Sequence, residues 1–171
     1  MRCKIITTCQ RKGGVGKSTS TLNLANVFAE RGKRVLIIGG MIHGCQLGEF
    51  MAKRGRQVTI VEPDEANVGK HLAPEYKNRM FIWFKKKGVK VISGVELLEI
   101  TKKGLKVKHK ADGREELLEA DNILPVGFEP NTALYEALKG KVPELYNVGD
   151  CDDPAIIPEA TGAGWRIGNQ I

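Results

Sequence analysis

No apolar run in these 171 residues approaches the ~20 needed to cross a bilayer, so no membrane partner is expected. The N-terminus shows neither the apolar core nor the cleavage pattern of a secretory signal, which makes a cytoplasmic setting the expectation. Cysteine is sparse. Cys3, Cys9, Cys45 and Cys151 stand far apart without C-x-x-C spacing, so they read as buried or inert thiols rather than zinc or iron–sulfur ligands. Aromatic residues make up 6% of the chain and do not interleave with the basic ones. Twenty-seven Lys and Arg against 20 Asp and Glu give a formal charge of +7, but spread along the whole length. That pattern permits loose attraction to polyanions and gives no motif for a specific nucleic-acid partner. Low-complexity linkers are missing too, so residues 1–171 are expected to form a single compact domain.

What is present is a βα grammar. Residues 3–8 read as a buried strand, and Gly16–Arg31 as a helix closed by Gly32. Val35-Leu36-Ile37-Ile38 is a continuous apolar run, as a central parallel strand requires. A glycine turn, Gly39-Gly40-Met41-Ile42-His43-Gly44, leads into a helix ending near Gly55, and Val58–Val61 is the next strand, with Glu62 at its carboxyl end. Glu75–Lys87 is a third helix, with Tyr76, Met80, Trp83 and Phe84 on its buried face, and Val89–Ile92 returns to the sheet. Short charged strands then fall at Val95–Ile100, Leu105–His109 and Glu115–Glu119, an antiparallel meander in which His109 sits on a solvated face. Ile123–Gly127 and Leu145–Val148 read as further strands, Leu134–Leu138 as a short helix, and residues 154–171 as a helix weakened by Pro158, Gly162 and Gly164. The fold class is therefore α/β: a doubly wound parallel sheet, Rossmann-like or P-loop-like, with a small antiparallel meander.

The first chemical motif is Lys12-Gly13-Gly14-Val15-Gly16-Lys17-Ser18-Thr19. Between a strand and a helix, such a loop turns backbone N–H groups and the positive end of the helix toward phosphate. Lys17 is placed for the outer phosphates, and Ser18 for Mg²⁺. The run resembles the deviant Walker A motif of the partition and division-site ATPases (the ParA, Soj and MinD group), and the likeness extends through Leu22–Ala25 and Ala29–Leu36. The resemblance implies that Lys12 could reach across an ATP-sandwich dimer. After Ile38, however, the aspartate-rich switch and the Walker B aspartate of that group are missing, so hydrolysis and the dimer are not expected.

From about Lys33 onward the chain resembles the nucleotide-binding module of enoate and dienoyl-CoA reductases of the old yellow enzyme group. The likeness rests on Val35–Gly40 with Gly44, Glu49, Lys53–Glu62, Lys86–Val89, Ala120–Pro125, Pro130-Asn131, Gly140–Glu144 and Val148-Gly149-Asp150-Cys151. It implies an NAD site at Gly39, Gly40 and Gly44, weakened because Met41 stands where the fingerprint has its middle glycine. Glu62, about twenty residues on, would bond the ribose hydroxyls and favour NAD over NADP. Asp150 would belong to an FAD-binding half whose glycine-rich unit is missing, so FAD is not expected.

Taken together, these readings give a P-loop element at 1–36, an NAD-type region at 33–148 containing the meander 95–119, and a remnant of an FAD-type half at 149–171. The resulting expectation is a chimera, engineered or recombined, that binds ATP or ADP with Mg²⁺ through residues 12–19 and hydrolyses little or none. No catalytic residue is assigned. The alternatives are an NAD(H)-binding fragment of a flavin-dependent oxidoreductase and a stable scaffold without ligand.

Overall fold

The computed structural model describes residues 4–5 and 32–171. The loop residues Lys12–Thr19 and the expected helix at 16–31 lie outside the described residues. The chain divides into two units, Met1–Gly127 and Phe128–Ile171.

The first unit is built on a five-stranded sheet. Its strands are β1 (Lys4–Ile5), β2 (Arg34–Ile38), β3 (Gln57–Glu62), β4 (Lys90–Ser93) and, after the meander, β8 (Asn122–Pro125). The order is β1-β8-β2-β3-β4, and every neighbouring pair is parallel. Helices α1 (Ile42–Lys53) and α2 (Pro74–Lys87) make the crossovers from β2 to β3 and from β3 to β4. Strands β5 (Val95–Ile100), β6 (Gly104–His109) and β7 (Glu115–Glu119) form the separate antiparallel sheet.

The continuous apolar run of β2 is explained by what covers its two faces. Val35 and Ile37 pack with Cys45, Leu47 and Met51 of α1 and with Met80 and Phe84 of α2. Leu36, the residue between them, packs with Val61 and Ile123 and with Val95, Leu105, Val107 and Leu118 of the meander. Two-residue periodicity thus sends alternate side chains of one strand into two cores. Each fully buried large side chain among them contributes ~1.5–3 kcal/mol relative to exposure. On β6, Leu105 and Val107 are buried while Lys106 and Lys108 are exposed, so the meander has one solvated face, as its alternation suggests.

Helix α2 starts with Pro74, carries Glu75 in its first turn and Lys85–Lys87 in its last, and stops at Gly88 (φ +71). Each choice suits the helix ends: proline lacks a donor the first turn does not need, and the charges complement the dipole. Its core face is Met80 and Phe84 with Trp83 partly covered. Tyr76 instead turns outward, donating its hydroxyl to Glu49 on α1 at 3.1 Å. At the opposite, amino end of the sheet, Asp121 accepts the Arg34 backbone N–H at 2.9 Å and pairs with its guanidinium at 3.2 Å. That guanidinium also holds Glu119.

The second unit contains α3 (Ala133–Leu138), a 3₁₀ turn at Gly149–Cys151 and α4 (Ile157–Gly168). The strand expected at 145–148 does not form. Val148 has extended backbone (φ −142, ψ 142), but among the described residues no strand pairs with it, and a lone extended segment is no strand. Asn147 Nδ2 donates instead to Cys151 O at 2.7 Å, closing a local turn. Helix α4 tolerates Pro158 because it falls in the first turn, where no intrahelical donor is required.

Candidate nucleotide-binding site

The site grows from the carboxyl ends of β2 and β3. β2 runs out at Ile38, and Gly39 takes a left-handed conformation (φ +112) that non-glycine residues rarely adopt. The turn is crowded as well as bent. A Cβ on Gly39 would lie 1.8 Å from Val126 O, because β8 continues alongside and Val126 N–H donates to Ile38 O at 2.7 Å. Gly44, in the first turn of α1, meets the same limit from the other side: a Cβ there would lie 1.8 Å from Gly39 O. The two glycines are therefore steric requirements of a tight strand–turn–helix junction. Gly48, one turn later, lets α1 approach Ile60 of β3, whose Cδ1 would be 2.7 Å from a Cβ.

Met41 occupies the N-cap position with φ −68 and ψ −173, ordinary extended backbone that any residue adopts. Its side chain makes no capping hydrogen bond. Methionine therefore fits the turn without strain, and its effect falls on whatever approaches the turn. Gly40 is fixed at both ends of its peptide groups. Its N–H donates to Glu62 Oε2 at 2.6 Å, and its carbonyl accepts from Gly69 N–H at 2.7 Å and from the Cys45 thiol at 3.1 Å.

Glu62 is 5% exposed, an uncommon depth for a carboxylate. Its Oε1 accepts the Asp64 N–H at 3.1 Å while Oε2 holds Gly40. Sequence reasoning brought Gly39, Gly40, Gly44 and Glu62 to one place, and the structure puts them within one hydrogen-bonded corner. Asp64, which caps the 3₁₀ turn at Glu65–Asn67 by accepting from Ala66 N–H, and the segment Val68–Lys70 also belong to that corner and were missed. Their only sequence signal is the acid pair after Glu62 and the lone glycine at 69. Asp150 stands exposed in the second unit, beside Gly149 (φ +71).

Burial pushes the Cys45 thiol up to about 11, so it stays protonated and unreactive near neutral pH. His43, in the first turn of α1, is held below its ordinary value by burial and then by the charge of His71. His109 Nε2 sits 2.9 Å from Glu116 Oε2, within hydrogen-bonding distance on the meander. Among the described residues no group of three or more His, Cys, Asp or Glu side chains is arranged to hold a metal. Among them, too, no helix is long and apolar enough to cross a membrane.

A glycine-cornered β2–α1 junction with a buried acid at the end of β3 is a corner found in Rossmann-like βαβ units. Comparison with known families agrees: residues 4–164 match the model of the pyridine nucleotide-disulphide oxidoreductases. The chain belongs to that family. Among relatives of this oxidoreductase module, the bilirubin reductase of Mediterraneibacter gnavus is 31% identical over 139 residues, 81% of this chain and 21% of its own. The NADH oxidase of Thermoanaerobacter brockii is 26% identical over 94% of this chain and 25% of its own, and the dihydrolipoyl dehydrogenase of Staphylococcus aureus 38% identical over 67% and 24%. The chain thus spans a fifth to a quarter of the length of these curated relatives. Thioredoxin reductase from T. acidophilum shares the fold at a TM-score of 0.59 with 26% identity, over 86% of this chain and 52% of that one. Histamine dehydrogenase from Rhizobium sp. 4-9 superposes at a TM-score of 0.62 and 20% identity over 87% of this chain and 24% of its own, a likeness of fold alone.

These matches correct the expectation built on residues 12–19. A single oxidoreductase family model runs from residue 4 through that loop to residue 164, so the ATP-binding chimera gives way to the oxidoreductase alternative. The partition-ATPase likeness, ATP with Mg²⁺, and a magnesium role for Ser18 gain no support. The physical reason is context: a glycine-rich phosphate loop is a short signal, while the β2–β8 region carries a fold-length one. Setting FAD aside is likewise unsupported, because the match continues through Gly149 and Asp150.

Proposed function

We propose that this chain is the NAD(H)-binding part of a larger flavin-dependent oxidoreductase. The observation that carries the reading is the corner at Gly39, Gly44 and Glu62, where both glycines are sterically required and a buried carboxylate is pinned to the turn. The pyrophosphate would lie against the backbone of the Gly39–Gly44 turn and the N-terminus of α1, where N–H groups and the helix dipole favour negative charge. Glu62 spends one bond from each oxygen on the backbone, and an ionised carboxylate offers about four acceptor sites, so capacity remains for ribose hydroxyls. A 2′-phosphate at the same place would meet Glu62 with Asp64 and Glu65 close by in sequence, and like charges there disfavour NADP. Bound NAD supplies the family's hydride chemistry; the chain's own part is to hold and orient it. Asp150 is assigned to the flavin side of the larger protein, and a small-molecule nucleotide is the partner.

Met41 sets the strength of binding. Its side chain stands at the position where the fingerprint's middle glycine lets pyrophosphate reach the backbone. The test is titration of the purified chain with NADH and with NADPH, followed by nicotinamide fluorescence. NADH should bind more tightly than NADPH, and Glu62→Gln should narrow the difference by about tenfold. Met41→Gly should tighten NADH by roughly fivefold, about 1 kcal/mol. A chain that binds neither nucleotide, or a preference that Glu62→Gln leaves untouched, defeats the assignment.

A further inference from the structure

The glycine turn is held from behind by a segment that takes no part in the fingerprint. Gly69 N–H donates to Gly40 O at 2.7 Å, and Lys70 O accepts from Ile42 N–H at 3.0 Å. Those bonds fasten the segment to the turn on both sides of Met41. Gly69 is buried with φ +64, and the space over it is filled: a Cβ there would lie 2.9 Å from Lys77 Cε and 3.1 Å from its Cδ. The Lys77 stem therefore lies flat on Gly69, and its Nζ donates to Val68 O at 2.6 Å. Lys77 stands in the first turn of α2, its own N–H donating to Ala73 O at 2.8 Å. Its ammonium also bears on the Cys45 thiol, which in turn donates to Gly40 O.

A lysine on an exposed helix surface normally keeps its head in water, and pinning it costs rotamer entropy. Here the stem is laid across one glycine and the head set on one carbonyl, so the fastened object is the Val68–Lys70 segment. We propose that Lys77 is a positioning residue for the dinucleotide. From α2 it clamps Val68–Lys70, the segment holds the Gly40 carbonyl and the Ile42 amide, and the backbone from Gly40 to Gly44 is kept in the arrangement that meets the pyrophosphate. This rests on the NAD(H) reading above.

Two measurements test it. Amide hydrogen exchange without nucleotide compares the parent with Lys77→Met, which keeps the stem and removes the donors. The Gly69 and Ile42 amides should lose about tenfold in protection, and unchanged protection overturns the clamp. NADH titration then compares parent, Lys77→Met, Lys77→Arg and Lys53→Met. Lys53 pairs with Glu49 at 2.6 Å and sits over Trp83, so it serves as a control for a lost surface lysine. Lys77→Met should weaken NADH about fivefold, Lys77→Arg should restore it, and Lys53→Met should leave it unchanged. Parent-like affinity in Lys77→Met, or equal losses in Lys77→Met and Lys53→Met, overturns the inference alone. A parent that binds no NADH overturns the functional reading and this inference with it.

Discussion

The two units of the chain are built on opposite terms. In Met1–Gly127, β2, β3 and β8 send alternate side chains into two cores, and Phe84, Ile37, Ile60 and Ile123 are sealed from solvent. In Phe128–Ile171 no residue is fully buried, and Leu134, Ile157 and Trp165 each keep more than two thirds of their surface exposed. The helices of the second unit rest on local devices: the hydroxyl of Thr161 on the Ile157 carbonyl, and the Asn169 amide on the Trp165 carbonyl. Secondary structure can be written locally, whereas stability has to be collected from distant residues.

The sharpest way to break this contrast is to cut a cavity in one unit and trim the surface of the other. Phe84→Ala should lower the unfolding free energy by ~3–5 kcal/mol in urea denaturation. Gly44→Ala should follow at about 2–3 kcal/mol, because its methyl group must displace the Gly39 carbonyl, and NADH binding should go with it. Asp121→Asn should cost ~1–2 kcal/mol, since it weakens the bonds to the Arg34 side chain and backbone N–H. Those same bonds hold the Asp121 carboxyl below its ordinary value. Its contribution is accordingly complete above the unfolded value near pH 4 and is lost as pH falls through the lower folded value, so acid denaturation of parent and variant should converge. Trp165→Ala should change stability by less than ~0.5 kcal/mol. A loss as large as that of Phe84→Ala would show that the second unit is packed in solution.

The same contrast marks what the sequence made legible. α2 and the β6 strand of the meander could be read from periodicity because their burial is periodic, and β2 and β3 from continuous apolar runs because both of their faces are covered. The 145–148 segment has strand composition, but composition does not supply a partner, and among the described residues no strand pairs with it. At the site, Gly39, Gly40, Gly44 and Glu62 were readable because they fall at fixed spacing. The Lys77–Val68 bond was not: it joins a side chain to a backbone carbonyl, and any residue at 68 would serve. The run at 12–19 was the most motif-like stretch of the chain, and it misdirected the functional reading because a short anion loop says little about the fold around it.

The placement of β8 also governs the order of assembly. β2, β3 and β4 pair with near neighbours in the chain, but β8 enters between β1 and β2 with Asn122 opposite Lys4 and Val35. Such long-range closures come late, since chain entropy must be lost before the pairing forms. The Gly39 turn is walled by Val126, which arrives with β8. The Gly39–Glu62 corner should therefore be finished after the helices have docked. In stopped-flow refolding, capture of NADH should lag the recovery of helical signal, and the lag should disappear if the corner instead forms with the β2–α1–β3 unit.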